Sequence, residues 1–172
     1  MNLPRAIAIG LKIQEQLAPM CEQIEIAGSI RRARAAVNDL DLVILPKSGQ
    51  RDVIKARFAS RCAPVTEGEQ NCIYRLQLAD RTQFQVDVFF ARPAADDLLQ
   101  TVPGNFGSLL LCRTGSKEHN IFLVDHAKRM GLRWNPYHGV CAVDGRVLAS
   151  ETEVDIFQAL DLEFIPPERR ER

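Results

Sequence analysis

Gly28-Ser29-Ile30-Arg31-Arg32, followed after Ser29 by nine intervening residues and then Asp39-Leu40-Asp41-Leu42-Val43-Ile44-Leu45-Pro46, is the stretch whose reading decides the fold. The second part is a short run rich in branched apolar residues, closed by a proline, which reads as a β-strand. Alternate side chains of a strand share a face. Asp39 and Asp41 therefore point together, while Leu40, Leu42 and Ile44 point to the opposite, apolar side. Two neighbouring carboxylates repel unless a cation or a proton compensates them. A D-x-D at the head of an apolar strand is read most economically as a divalent-metal site, and hard oxygen ligands favour magnesium or manganese.

Working outward, Pro4 to Leu17 places Ile7, Leu11, Ile13 and Leu17 at helical spacing, with Pro4 suited to a first turn. Gln23 to Ala27 reads as a strand entering Gly28-Ser29, and Gln50 to Arg61 as a covering helix. Ile73 to Leu78 and Thr82 to Phe90, joined by Ala79-Asp80-Arg81, read as an antiparallel hairpin. Its second strand puts Phe84, Val86, Val88 and Phe90 on one face. Asp87 therefore projects from the other, where it becomes a candidate third ligand. Two close divalent ions held by three carboxylates activate a hydroxyl nucleophile and stabilise a departing pyrophosphate. If a helix begins at Ser29, its N–H groups face phosphates and Arg32 adds a fixed charge on the same turn.

Arg92-Pro93 and Val102-Pro103-Gly104 break the pattern, which puts a boundary between lobes in this region: 1–95 and 96–172. In the second lobe Ser108 to Cys112 reads as a short helix. Ser116 to Met130 reads as a longer one, capped by Ser116, stopped by Gly131 and presenting Ile121, Phe122, Val124 and Met130 as its apolar side. Arg133 to Tyr137 and Val140 to Val143 read as extended, Thr152 to Leu160 as a helix with Glu151 and Glu153 at its start, and the tail from Ile165 to Arg170 as extended. The expected class is α+β: a mixed sheet with covering helices, plus a small α+β carboxyl-terminal lobe.

With 172 residues, 46% hydrophobic and 26% charged, the composition is that of a folded protein of one domain or two small lobes. No apolar stretch approaches the roughly 20 residues that cross a bilayer, and the amino terminus lacks the pattern of a secretory signal. No membrane partner and a cytoplasmic location are expected. Five scattered cysteines without a C-x-x-C pair suit reduced thiols better than a disulfide frame or a zinc site. Lys+Arg and Asp+Glu are equal at 22 each, which does not indicate strong general nucleic-acid binding. Setting the three candidate metal ligands aside leaves 22 basic residues against 19 acidic ones, so local basic patches remain available.

Each motif alone has an ordinary structural explanation. Gly-Ser is a common turn, Arg31-Arg32-x-Arg34 a solvated face, and acids are frequent at strand starts. Taken jointly, G-S-x(9)-D-x-D with a later strand acid resembles the nucleotidyltransferase superfamily that includes polymerase beta. Arg113-Thr114-Gly115-Ser116-Lys117-Glu118-His119-Asn120, Asn135-x-Tyr137-x-Gly139 and the tail Ile165-Pro166-Pro167-Glu168-Arg169-Arg170-Glu171 resemble the thumb of family X DNA polymerases, bacterial ones especially.

This resemblance implies a nucleotidyltransferase palm with a thumb, acting on a DNA 3′-hydroxyl with two Mg²⁺ (or Mn²⁺) ions, as in short-gap repair synthesis. Asp39 and Asp41 would bind both metals; Asp87 would bind the catalytic one and help deprotonate the primer. Gly28, Ser29, Arg32 and the backbone of Asn38 would hold the triphosphate. Gly115 would shape the sugar pocket and Asn120 would meet the base, with Lys117 and His119 as further candidates. Cys112-Arg113 stands where the family carries an aromatic pair that screens the sugar 2′-position, which leaves the choice of sugar open. The expected form is minimal, with no lyase segment before the palm and no phosphoesterase domain after the thumb. The expected partners are a nucleoside triphosphate and primer-template or gapped DNA, bound weakly and in a salt-sensitive way by a monomer. Two alternatives stand beside this: a stand-alone transferase adding nucleotides without a template to RNA or another acceptor, and a nucleotide-binding or scaffold protein that has lost catalysis.

Overall fold

The computed structural model describes residues 1–96 and 101–171. The chain divides into two compact units, Met1–Phe90 and Ala91–Arg172, parting just before the boundary read from the sequence. The range 96–172 includes residues 97–100 and 172, which lie outside the described residues.

The first unit opens with α1 (Leu3–Leu17), started by Asn2, whose side chain accepts from the Arg5 N–H. A 3₁₀ turn leads into β1 (Cys21–Ile26), and α2 (Gly28–Arg31) is a single turn at its end. Then follow β2 (Asp39–Pro46), α3 (Arg51–Ala59), β3 (Cys62–Glu67), β4 (Asn71–Gln77) and β5 (Gln83–Phe90). The five strands form one mixed sheet in the order β1-β2-β5-β4-β3. Only the β2·β5 pair is parallel; β1·β2, β4·β5 and β3·β4 are antiparallel.

The period-two reading of β2 and β5 explains the core. Leu40, Leu42, Ile44, Val86 and Val88 are fully buried and cluster with Ala6 and Leu17 of α1 and with Ile54 and Phe58 of α3. Each large side chain buried in this way contributes roughly 2 kcal/mol. A one-residue slip of β2 would expose this row and drive Asp39 and Asp41 inward, at a cost of several kcal/mol per buried charge. The apolar row thus fixes which face the acids occupy. Phe58 stacks on Tyr74 with ring centres 4.9 Å apart. At the β4–β5 turn, the Thr82 hydroxyl and N–H and then Arg5 donate to Asp80, holding its carboxyl down at about 2 and tying α1 to the hairpin. β3 carries no strand signal because only Cys62 of its six residues is buried; it is an edge strand that tolerates Pro64.

The second unit pairs β6 (Ala95–Asp96) with β7 (Thr101–Val102) and continues with α4 (Phe106–Thr114) and α5 (Lys117–Arg129). A three-stranded antiparallel sheet, β10-β9-β8, joins β8 (Arg133–Asn135), β9 (Gly139–Cys141) and β10 (Val147–Ala149), and α6 (Glu153–Ala159) follows. The expected apolar side of α5 holds at Phe122 and Val124, which pack partly buried against the core, and is corrected at its other two residues. Ile121 and Met130 are 51% and 42% exposed, while the interior takes His119, Leu123 and Ala127, an i, i+4, i+8 row. The tail is not wholly extended either: Pro167–Arg169 forms a 3₁₀ turn. Among the described residues, no helix is long and apolar enough to cross a membrane, and all five cysteines are free thiols. Burial pushes the Cys21 thiol up to about 11.

α4 lies against the chain entering α6 at backbone distance. Gly107 N–H donates to Glu151 O at 2.9 Å, and a Cβ on Gly107 would sit 2.4 Å from the Thr152 backbone. Gly107→Ala is expected to destabilise the protein by about 1–3 kcal/mol through overpacking, read as a lower urea midpoint at unchanged m-value.

Candidate active site

The parallel register of β2 and β5 pairs Asp41 with Asp87 and Asp39 with Gln85. Registered residues on adjacent strands share a face about 4.8 Å apart. Asp39, Asp41 and Asp87 therefore stand on one side of the sheet, all half-buried, opposite the helix-covered core. Beyond Asp41, β2 is buried on both faces, so the acids occupy the mouth of the strand and not its interior. Gln85 lies two residues before Asp87 on the same face, and its Nε2 donates to Asp87 Oδ1 at 2.8 Å.

The Gly-Ser turn is tied to the same place. Ala27 N–H donates to the Asp41 carbonyl at 2.8 Å, which sets the start of α2 beside the middle acid. Gly28 is required there for two reasons. Its φ is +60°, and a Cβ would lie 1.8 Å from Asp41 Oδ2. Ser29 Oγ is buried and has no hydrogen-bond partner among the described residues. A buried hydroxyl left unsatisfied costs about 1–3 kcal/mol, so this one suits an acceptor supplied by a ligand. Arg32, half-buried, closes the turn, its N–H donating to Gly28 O at 3.2 Å; Asn38 is exposed immediately before β2.

Three hard carboxylates on one face suit a divalent cation by donor type and by strand register. Among the described residues, no group of three or more His, Cys, Asp or Glu side chains is gathered closely enough to hold a metal ion as it stands.

In the second unit, Gly115 has a φ of +69° and Ser116 caps α5, accepting from the His119 N–H at 3.2 Å. Asn120 Nδ2 donates to the Cys112 carbonyl at 2.8 Å, while its Oδ1 is buried without a partner among the described residues. Arg113 Nη2 reaches 3.5 Å from the Tyr137 hydroxyl. Burial raises the Cys112 thiol, against a smaller opposing influence of the Arg113 charge. Lys117 is exposed at the start of α5. Cys112, Lys117, Asn120, Ile121, Val124 and Trp134 border a cleft of about 510 Å³, where Ile121 is exposed and Val124 also packs, partly buried, against the core of the unit. His119 is fully buried, 6.0 Å from the ring of Phe157 and 6.2 Å from that of Phe122, among the apolar side chains of the unit.

Sequence reasoning missed Gln85 and Tyr137. Gln85 shares β5 with Asp87, and its bond to that carboxylate is a side-chain contact that residue type and spacing alone do not declare. Tyr137 falls within a recognised motif, yet only the fold brings it beside Arg113.

A family model described as the DNA polymerase beta thumb matches residues 109–171. Over 170 residues the chain is 29% identical to the DNA polymerase/3'-5' exonuclease PolX of Bacillus subtilis (strain 168), a match taking in 96% of this chain and 28% of that protein. The chain thus spans just over a quarter of its curated relative's length. The crystal structure of Leishmania infantum polymerase beta in a ternary P/T complex matches all of the chain and 77% of its own, with a TM-score of 0.79 at 18% identity. The chain is family X DNA polymerase-like. Its α+β fold, with a mixed sheet and helices, is that of polymerase beta, and the second unit contains the thumb.

Gly28→Ala tests the packing of the polymerase-like turn against Asp41. The strained backbone should cost about 1–3 kcal/mol, and the Asp41 carboxylate must move. Equilibrium unfolding together with the Asp41 side-chain NMR resonance reads both effects.

Proposed function

We propose that the chain catalyses metal-dependent nucleotidyl transfer, joining a nucleoside triphosphate to a DNA 3′-hydroxyl with release of pyrophosphate, in the manner of short-gap repair synthesis. The observation that carries this reading is the in-register pairing of Asp41 with Asp87, with Asp39 on the same face. The family likeness and the polymerase beta fold support it. The relatives' names supply the substrate class, a DNA primer-template.

Asp39 and Asp41 would hold two Mg²⁺ or Mn²⁺ ions and Asp87 one of them. When bound, the ions lower the pKa of the attacking hydroxyl and neutralise charge on the triphosphate. Asp87 accepts the primer hydroxyl proton, with Gln85 orienting the carboxylate through the bond to Oδ1. Ser29 Oγ donates to a phosphate oxygen, and Arg32 adds a charge that no change of pH removes. Gly28 keeps the approach to Asp41 clear. In the thumb, Asn120, oriented by the Cys112 carbonyl, meets the base, and Gly115 with Arg113 borders the sugar.

A second reading is template-independent transfer to RNA or another acceptor, and one observation favours it. Cys112 and Arg113 occupy the place of an aromatic pair, with Arg113 directed at Tyr137. A polar guanidinium there would admit a ribose hydroxyl that aromatic rings would exclude.

Primer extension decides between them. The protein should extend a gapped DNA primer with Mg²⁺ or Mn²⁺, more weakly as salt is raised. Loss of a partner behind a metal ligand already costs roughly 10- to 100-fold, so Asp87→Ala should cost more than about 100-fold. Equal rates in the two proteins would remove the mechanism. Ribonucleotide addition to blunt or RNA ends, exceeding templated deoxynucleotide addition, would select the second reading.

A further inference from the structure

Near the end of the chain, Arg170 is completely buried (0% exposed) although it lies in a tail rich in exposed charge. Its Nη1 donates to Glu153 Oε1 at 2.7 Å, and Glu153 is itself 7% exposed. Its Nε donates to the Ile165 carbonyl at 2.8 Å, and its guanidinium lies 5.5 Å from the ring centres of both Phe157 and Phe164. A buried ion pair of this kind is a poor source of net stability, because desolvation offsets the attraction, but its directional bonds can fix one arrangement among several. What it fixes is visible in the backbone. The Arg170 carbonyl accepts from Ser116 twice, from Oγ at 2.8 Å and from N–H at 3.3 Å. Ser116 Oγ in turn caps α5 through the His119 N–H, and the Ser116 carbonyl accepts from the Asn120 N–H at 3.0 Å.

We propose that the Arg170–Glu153 pair is a lock that positions the Gly115–Ser116 turn and the first turn of α5, making Arg170 a positioning residue for the nucleotide contacts of the thumb. The tail is pinned from within by Glu153 and the Ile165 carbonyl. Pinned in this way, it presents one carbonyl to both donors of Ser116, and the orientation of Asn120 follows. The nucleotide part of this inference rests on the function proposed above; the lock itself rests on the thumb alone.

The test uses the full chain and three variants: Arg170→Met, Glu153→Gln, and the double variant Glu153→Leu with Arg170→Met. The double variant replaces the pair by apolar side chains and keeps the interior packed. All are assayed well below their melting temperatures. Amide exchange at Ser116, His119 and Asn120 should accelerate at least tenfold in every folded variant, including the double one, while exchange in β2 and β5 is unchanged. The KM for the triphosphate should rise about tenfold with kcat within about twofold of wild type, a split that general loss of stability would not produce. Wild-type exchange at those three amides in the folded double variant would overturn the lock. If the wild-type protein transfers no nucleotide, the functional reading falls, and the exchange measurement still decides the lock.

Discussion

The parallel pairing of β2 with β5 is the constraint on which the rest of the site depends. It brings Asp41 beside Asp87 across one strand spacing, although 45 residues lie between them in the chain. No local feature of either strand could do this. The pairing is held by the apolar rows behind it, Leu40, Leu42 and Ile44 against Val86, Val88 and Phe90. Shifting the strands by one residue would cost the burial of that row and internalise charge as well. The interaction that stabilises the sheet is therefore the one that aims the acids.

The Gly-Ser turn depends on the same pairing by one further step. β1 lies antiparallel to β2 with Ile26 opposite Leu42, so the chain leaves β1 next to Asp41, and the bond from Ala27 N–H to the Asp41 carbonyl fixes the exit. Gly28 follows in a left-handed conformation with no room for a side chain. An acid pair and an orphaned buried hydroxyl thus share a backbone frame, which is the arrangement expected for holding a phosphate near a cation.

Much of this was legible in the sequence, for identifiable reasons. The apolar run of Asp39 to Leu45, headed by D-x-D, and the period-two placing of Phe84, Val86, Val88 and Phe90 declare both the strands and the faces of the acids. Other elements escaped. β3 buries one residue, so it has no periodic signal to read. The inner face of α5 is legible only in part, through Phe122 and Val124, because its fully buried row begins with His119, a polar residue by type, while Ile121 and Met130 advertise a face that is exposed. Glu153 reads as a charge at a helix start; its partner Arg170 lies in a tail that reads as extended. Long-range pairs between single residues leave no pattern in a chain read locally.

The central claim is that Asp39, Asp41 and Asp87 share divalent cations. Manganese binding, followed by electron paramagnetic resonance in the presence of a non-hydrolysable triphosphate, tests it without requiring turnover. Two Mn²⁺ ions should bind per wild-type chain, with one lost in Asp87→Asn and both in Asp41→Asn. Equal manganese binding by the three proteins, with each variant folded, would contradict it.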